Sequence, residues 1–131
     1  DAFSNVHKFV GRIKQVQKSG MWAYNTPPTY EVADRTAFYS VTWFASTIAH
    51  DSFHSQLYHE YKEQYPGRVP DDVWTGVEAE KKCLHHQLEV LKKIKAPNNE
   101  IAHLILRLDG KHYDTNKDGK NDSEDYKLRN W

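Results

Sequence analysis

The sequence predicts a mainly α domain with a minor β component (an α+β fold): helices around a small β-hairpin, closed by a polar C-terminal loop. Three observations predict it. Four stretches repeat apolar residues at three- and four-residue steps, as amphipathic helices do. One segment, residues 21–40, breaks that rhythm at Pro27 and Pro28 and then resembles short strands. From Asp109 onward the chain is polar and rich in Asp and Asn. The 131 residues suit one compact unit. Only 38% are hydrophobic, but four Trp, eight Tyr and five Phe supply large pieces for a core. Two parts are expected, a body over residues 1–108 and a tail over 109–131 packed on it.

The spacing predicts a first helix over residues 4–19. Val6, Phe9, Val10, Ile13 and Val16 recur at helical steps, Ser4 or Asn5 can cap, and Gly20 ends the pattern. Residues 29–32 and 37–39 then read as strands around a turn at Asp34 and Arg35. Residues 41–64 predict the longest early helix. Val41, Phe44, Ala45 and Ile48 make one apolar stripe, and Trp43, Phe53, Leu57 and Tyr61 make another, so this helix should be central. The Tyr65-Pro66-Gly67-Arg68-Val69-Pro70 stretch ends it. A third helix over residues 71–95 opens at Asp71 or Asp72 and stops before Pro97. A fourth over 99–108 carries Ile101, Leu104, Ile105 and Leu108.

Composition narrows the function. The formal net charge is zero, which argues against nucleic-acid binding by bulk charge. No apolar run approaches the roughly 18 residues a membrane helix needs, so no membrane partner is expected. The single Cys83 excludes an internal disulfide and any multi-cysteine zinc site. The chain opens with neither Met nor a secretory leader, as expected of a processed product or a piece of a longer protein.

Chemistry concentrates in His50-Asp51-Ser52-Phe53-His54. Histidines at i and i+4 lie one turn apart on one helix face, where both imidazoles reach one metal ion. An acid directly after the first His is the H-E-x-x-H arrangement, in which the acid activates water. A catalytic zinc takes three protein ligands and keeps one position open, so a third ligand is needed. On the third helix, with Leu84 at the origin, the wide apolar face is centred near about −50°. Glu80 falls at about −40° and Gln87 at about −60°, whereas Glu78 falls on the opposite side at about 120°. A carboxylate on a buried face is costly unless it is paired or binds a metal. Glu80 is therefore the expected third ligand, and the competing outcome is that it reaches the rim or pairs with Lys81. Gln87 is the expected group that orients a ligand, unless it bonds backbone or a polar neighbour. His59 is expected at the surface, and His85 and His86 fall outside the apolar face of their helix.

These residues resemble zincin-type metallopeptidase domains of the gluzincin kind. There an H-E-x-x-H helix is followed by a ligand Glu on the next helix, often as E-x-x-A. His50, Asp51, His54 and Glu80 match, with Cys83 at the small position. The stretches from Ser46 to His54 and from Glu80 to Gln87 are also similar to zincin-like domains at the ends of large bacterial secreted proteins, including RHS-repeat toxins. The resemblance covers roughly residues 37–96 and implies a zincin-like helical domain and a zinc-dependent hydrolase. Asp51 departs from it. Its carboxylate is one methylene shorter than the family's Glu and stops about 1.5 Å short, a displacement that costs on the order of 100-fold in rate.

The tail carries a second pattern, a calcium loop from Asp114 to Asp125. Asp114, Asn116 and Asp118 stand at loop positions 1, 3 and 5, and Gly119 at position 6 allows the sharp turn. Lys120 would give its backbone carbonyl, Asp122 fits position 9, and Asp125 fits position 12. Ca²⁺ wants six to eight oxygens, and alternate residues of a tight loop converge on one point. The plainer alternative is a solvated Asp/Asn-rich turn. The loop is similar to the EF-hand-like repeats of dockerins and other extracellular bacterial modules, although Asn121 replaces the usual hydrophobic residue at position 8. A single loop of this kind implies a structural site filled by extracellular calcium, hence a secreted protein. Tyr126, Leu128 and Trp131 are expected to pack back on the body.

Three functions follow. The first is a secreted zinc hydrolase, a metallopeptidase acting on peptide or protein substrates, with an edge strand for an extended peptide near residues 29–39. The second is a catalytically degenerate zincin-like module that binds metal and serves interaction. The third takes His50-Asp51 as the dyad of an HD-type metal-dependent phosphohydrolase, for which no ordered set of partner ligands is visible.

Overall fold

The computed structural model describes residues 1–129 and 131. It is mainly helical with one three-stranded sheet, the α+β class the sequence predicts. Helix α1 covers Ala2–Phe9, with Asp1 accepting from the Ser4 amide at 2.8 Å as its cap. The expected first helix ends here, seven residues before Val16. Val10 is already extended, and a side chain on Gly11 would collide with Pro27, so the chain must pass Pro27 as backbone alone. Beyond it, Arg12–Val16 forms strand β1, Gly20–Trp22 forms β2, and Thr29–Ala33 forms β3. Ile13 and Val16 suit a strand as well as a helix, and the pairing with β3 decides.

The sheet order is β1-β3-β2. β3 runs parallel to β1 (Ile13 opposite Tyr30) and antiparallel to β2 (Met21 opposite Tyr30). The central strand is thus β3, so the expected 29–39 hairpin and its exposed edge do not exist. Asp34–Ala37 is a short helix, α2, and Phe38 and Tyr39 are exposed beyond it. The free edges belong to β1 and β2.

Helix α3 spans Val41–Gln64, as expected, with Ser40 accepting from the Trp43 amide at 2.9 Å and Tyr65 leaving in extended conformation before Pro66. Its buried face differs from expectation. Val41 is 87% exposed and Ala45 is exposed, whereas Ser46, Thr47, Ala49, His50, Ser52, His54 and Ser55 are buried. Ser46, Thr47 and Ser52 satisfy their hydroxyls on carbonyls three residues back in the same helix. Short side chains let the facing helix approach closely. That helix is not one piece from 71 to 95. Asp71–Trp74 forms α4, Thr75 is extended, and Gly76–Lys93 forms α5, the break resting on Gly76 at φ 89°. Asn98–Ile105 forms α6.

Two apolar clusters flank the polar α3–α5 seam. Leu84, Leu91, Ala96 and Leu104 form one, covered by Trp43, Leu88, Ile101 and Leu108. Ala23, Val69 and Trp74 form the other, covered by Met21, Leu57, Tyr58 and Tyr61. Each buried leucine contributes about 1.5–3 kcal/mol, so the clusters can carry the desolvated polar strip between them. The tail returns across the body through a turn at Lys111–Tyr113 and helix α7, Ser123–Leu128. The Tyr126 hydroxyl donates to the Lys18 carbonyl at 3.4 Å, and the Ser19 amide donates to the Trp131 carbonyl at 3.0 Å. Leu128, expected to pack, is 61% exposed.

Candidate metal centre

His50 and His54 project from the middle of α3 toward Glu80 on the first turns of α5. The two Nε2 atoms are 3.1 Å apart. Glu80 Oε2 lies 3.2 Å from His50 Nε2, and Glu80 Oε1 lies 3.2 Å from His54 Nε2. Four-coordinate zinc with bonds of about 2.0–2.1 Å separates its ligand atoms by about 3.3 Å, so this donor set fits a zinc ion in spacing and in type. All three side chains are buried, Glu80 at 8% exposure. Glu78, the alternative on sequence, is exposed and pairs with Lys81 at 3.0 Å, so Lys81 does not neutralise Glu80.

The tautomer of His54 follows from its other nitrogen. Nδ1 lies 2.6 Å from the Trp74 carbonyl, which can only accept, so Nδ1 carries a proton and the neutral ring has its lone pair on Nε2 for a metal. The break at Thr75 and Gly76 exposes that carbonyl to His54 where a continuous helix would have used it. Gln87, expected to orient a ligand, is buried but donates to Ser46 Oγ at 2.9 Å. His50 Nδ1 and Glu80 Oε2 have no hydrogen-bond partner. A buried carboxylate oxygen facing an imidazole at 3.2 Å without a hydrogen bond of its own is an incomplete arrangement that a cation would complete.

Electrostatics agree with a cation-binding floor. Burial pushes the Glu80 carboxyl up, but His54 and His50 pull it further down, well below the usual carboxylate range. Burial opposes a charge on His54, yet Cys83 and Glu80 hold its pKa well above the ordinary histidine value. Asp51 is half-buried and lines the same cavity. Burial raises its pKa, against the pull of His50 and His54.

Two neighbours went unread in the sequence. Cys83, assigned only as a small residue, is fully buried, and its sulfur lies within 4.8 Å of ligand nitrogens of both His50 and His54. Its thiol is pushed up by burial. Tyr113 stacks on His50 with ring centroids 6.4 Å apart, and burial, then Glu80 and Asp51, keep its phenol protonated. The tail reaches this place because Gly110 is buried at φ 71°, where a Cβ would lie 3.2 Å from the Val77 carbonyl and 3.5 Å from Glu80 Cβ. Of the remaining histidines, His85 is exposed as expected. His59 is half-buried rather than superficial, with Nε2 2.9 Å from the Ala23 carbonyl and its ring beside Phe9. His86 is half-buried against Phe53.

The site opens into a cavity of about 980 Å³, the size of a small-ligand or peptide cleft. Strand β2, Tyr30, Trp43, Trp74 and the tail form its walls.

The calcium-type loop forms a second cluster. Asp114, Asp118 and Asp125 bring carboxylate oxygens within 4.8 Å of one another. Asp114 accepts from the Asp118 and Gly119 amides at 3.0 and 2.8 Å, and Asp118 accepts from Lys120 at 2.9 Å. Asn116 accepts from the Asp118 amide at 3.1 Å. Lys117 and Gly119 adopt positive φ, as a tight loop of alternating ligands requires. Asp122 caps α7, and Asp125 accepts from Asn116 and Asp122 amides in a capping box. Lys120 contributes no side-chain ligand and is exposed.

No family model, curated protein or solved structure matches this chain, so its function has to be read from the site itself.

Proposed function

We propose that this chain is a zincin-like, zinc-dependent hydrolase acting on peptides, with His50, His54 and Glu80 as metal ligands, Asp51 as the proton acceptor, and a structural Ca²⁺ held by the loop from Asp114 to Asp125. The observation that carries the reading is the convergence of two imidazole nitrogens and a buried carboxylate at 3.1–3.2 Å on the floor of an open cavity. Zn²⁺ bound there would supply Lewis acidity, lowering the pKa of a water at the open position and polarising the scissile carbonyl.

The chain's own groups do the rest. Asp51, with its pKa raised by burial, takes the proton of the attacking water and returns it to the departing amine as the C–N bond breaks. The Trp74 carbonyl holds His54 in the ligating tautomer. Tyr113 keeps His50 in place and excludes water from its outer face. The calcium loop supports a secreted setting, where millimolar calcium fills such sites.

One observation favours a second reading. Cys83 stands close enough to His50 and His54 to serve as a further donor. Four protein donors make a closed, structural site, and the chain would then be a metal-stabilised interaction module.

Elemental analysis of the purified protein beside His54→Ala, Glu80→Ala and Cys83→Ser variants separates the readings. The hydrolase reading expects about one zinc per chain, lost in the first two variants and kept in Cys83→Ser, with calcium unchanged throughout. Loss of zinc in Cys83→Ser would favour the closed site. Absence of zinc after incubation with it at neutral pH would overturn both.

A further inference from the structure

Three guanidinium groups line the cavity, those of Arg35, Arg107 and Arg129. Two are engaged. Arg129 donates to the Ser19 carbonyl at 2.5 Å and lies over the Tyr126 and Trp131 rings, and Arg35 also has a partner. Arg107 differs. It follows α6 and is half-buried, and among the described residues its side chain forms no hydrogen bond, ion pair or ring contact, only its backbone bonding Leu104 and Gly110. Its cavity neighbours are His103, Leu104, His112 and Tyr113, none of which carries negative charge at neutral pH. Its field reaches both histidines: burial first, and Arg107 next, lower the pKa of each, that of His112 to about 4.

The carboxylates on this side are bonded elsewhere, and Asp109, two residues on, accepts from the Lys111 amide at 2.9 Å. Glu80 faces His50 and His54. Glu100 accepts from Ser40 Oγ and Thr42 Oγ1 at 2.9 and 2.6 Å. Of the carboxylates that line the cavity, those of Asp51, Asp71, Glu80, Glu100 and Asp122, none is ion-paired or hydrogen-bonded to Arg107, so its planar fork with five donors is left for a ligand. It lines the same cavity as His50, His54 and Glu80.

We propose that Arg107 is the specificity-determining residue of the cleft and binds a carboxylate of the substrate. The ligand class is a peptide bearing a carboxylate, either its free C-terminus or an acidic side chain, on the side of the cleft walled by α6 and the Lys111–Tyr113 turn. This deepens the hydrolase reading and rests on it for the word substrate. The binding itself rests on Arg107 alone.

The test uses the whole chain loaded with zinc and calcium and one N-acetylated, alanine-rich tetrapeptide in three forms. One form has a free C-terminal carboxylate, one is amidated and neutral, and one is amidated with a single Glu. Affinity is followed by tryptophan fluorescence, and cleavage is measured in parallel. At least one carboxylate form should bind about tenfold or more tighter than the neutral amide, and the preferred form identifies the source. Arg107→Gln should erase that preference while leaving the neutral amide's affinity unchanged, which shows that the variant is folded. Arg107→Lys should retain part of it. In cleavage, Arg107→Gln should raise KM for the carboxylate form and leave kcat within about twofold. Equal binding of all three forms, or of none, overturns the proposal, as does a preference that survives Arg107→Gln. Cleavage without carboxylate preference overturns it and leaves the hydrolase reading standing. Arg107-dependent binding without any cleavage supports it and removes the hydrolase reading.

Discussion

In the proposed hydrolase, Asp51 decides whether the metal floor does chemistry, because it stands one residue after His50 where a longer acid would reach the water more easily. If it is the proton acceptor, Asp51→Asn keeps its shape, removes its basicity and lowers kcat by about 10²–10⁴ with zinc content unchanged. Asp51→Glu adds the missing methylene in a cavity with room for it, and should raise kcat by up to about 100-fold. A fall in kcat for Asp51→Glu, measured on the same peptide, would show that the cleft is built around the shorter acid. His54 and Glu80 give a second test in the metal-free chain. The His54 pKa is raised on folding, so its contribution is complete below the unfolded value of about 6.5 and fades as pH rises through the folded one. The Glu80 pKa is depressed, so its contribution is complete above the unfolded value of about 4.3 and fades as pH falls through the lower folded one. Metal-free protein should therefore show its highest urea midpoint between about pH 4.5 and 6.5, and the Glu80→Gln variant should lose that maximum. Zinc needs His54 deprotonated, so zinc affinity should rise with pH across the same range and beyond.

At the scale of elements, the joint between α4 and α5 shapes the site most. Gly76 at φ 89° stops one helix and starts the next, and this leaves the Trp74 carbonyl for His54. Nothing lies within 4 Å of the Cβ that Gly76→Ala would add, so its cost is backbone strain alone, about 1–2 kcal/mol. Relief of that strain should pull the carbonyl off Nδ1 and weaken zinc about 10–100-fold, the range for losing such an orienting bond. Denaturation and zinc competition on one variant check both figures. The same joint shows what sequence can and cannot reveal. Helix α3 was legible because its apolar residues keep helical steps and Pro66 stops it locally, while the Ser40 cap went unread. Glu80 was separable from Glu78 because helical phase survives from Glu80 to Leu91. The joint was not, since a glycine inside a periodic run resembles a tolerated defect. Strand β1 was hidden because Val10, Ile13 and Val16 recur at the three-residue step of a helix, and its partner β3 lies 17 residues on at Thr29–Ala33. The stripe through Val41 and Ala45 failed because a serine-lined face packs on α5 instead. Tyr113 left no periodic trace, because its place beside His50 comes from the path of the tail.

At the scale of the whole molecule, the two proposed ion sites are connected by the tail. The loop from Asp114 to Asp125 is bracketed by Tyr113, stacked on His50, and by Arg129, which lies over the Tyr113 ring at 5.9 Å. Without a cation, three carboxylates within 4.8 Å repel one another, opposed by the amide bonds and the capping box. An ion in the loop would hold both of its ends and so keep Tyr113 and Arg129 over the metal floor. Calcium at about 100 times its dissociation constant should stabilise the fold by about 2.7 kcal/mol. The Asp114→Ala and Asp118→Ala variants should lose this response without changing any zinc ligand. Zinc affinity, measured with a zinc-selective competitor at fixed pH, should be about tenfold higher with calcium than without it. Hydrogen exchange at Tyr113 and Arg129 should slow in step. Linkage makes the effect reciprocal, so zinc must tighten calcium by the same factor, and Glu80→Ala must abolish that gain while leaving the loop intact. Two calcium titrations, with and without zinc, decide it: superimposable curves would mean that the tail covers the centre without responding to it.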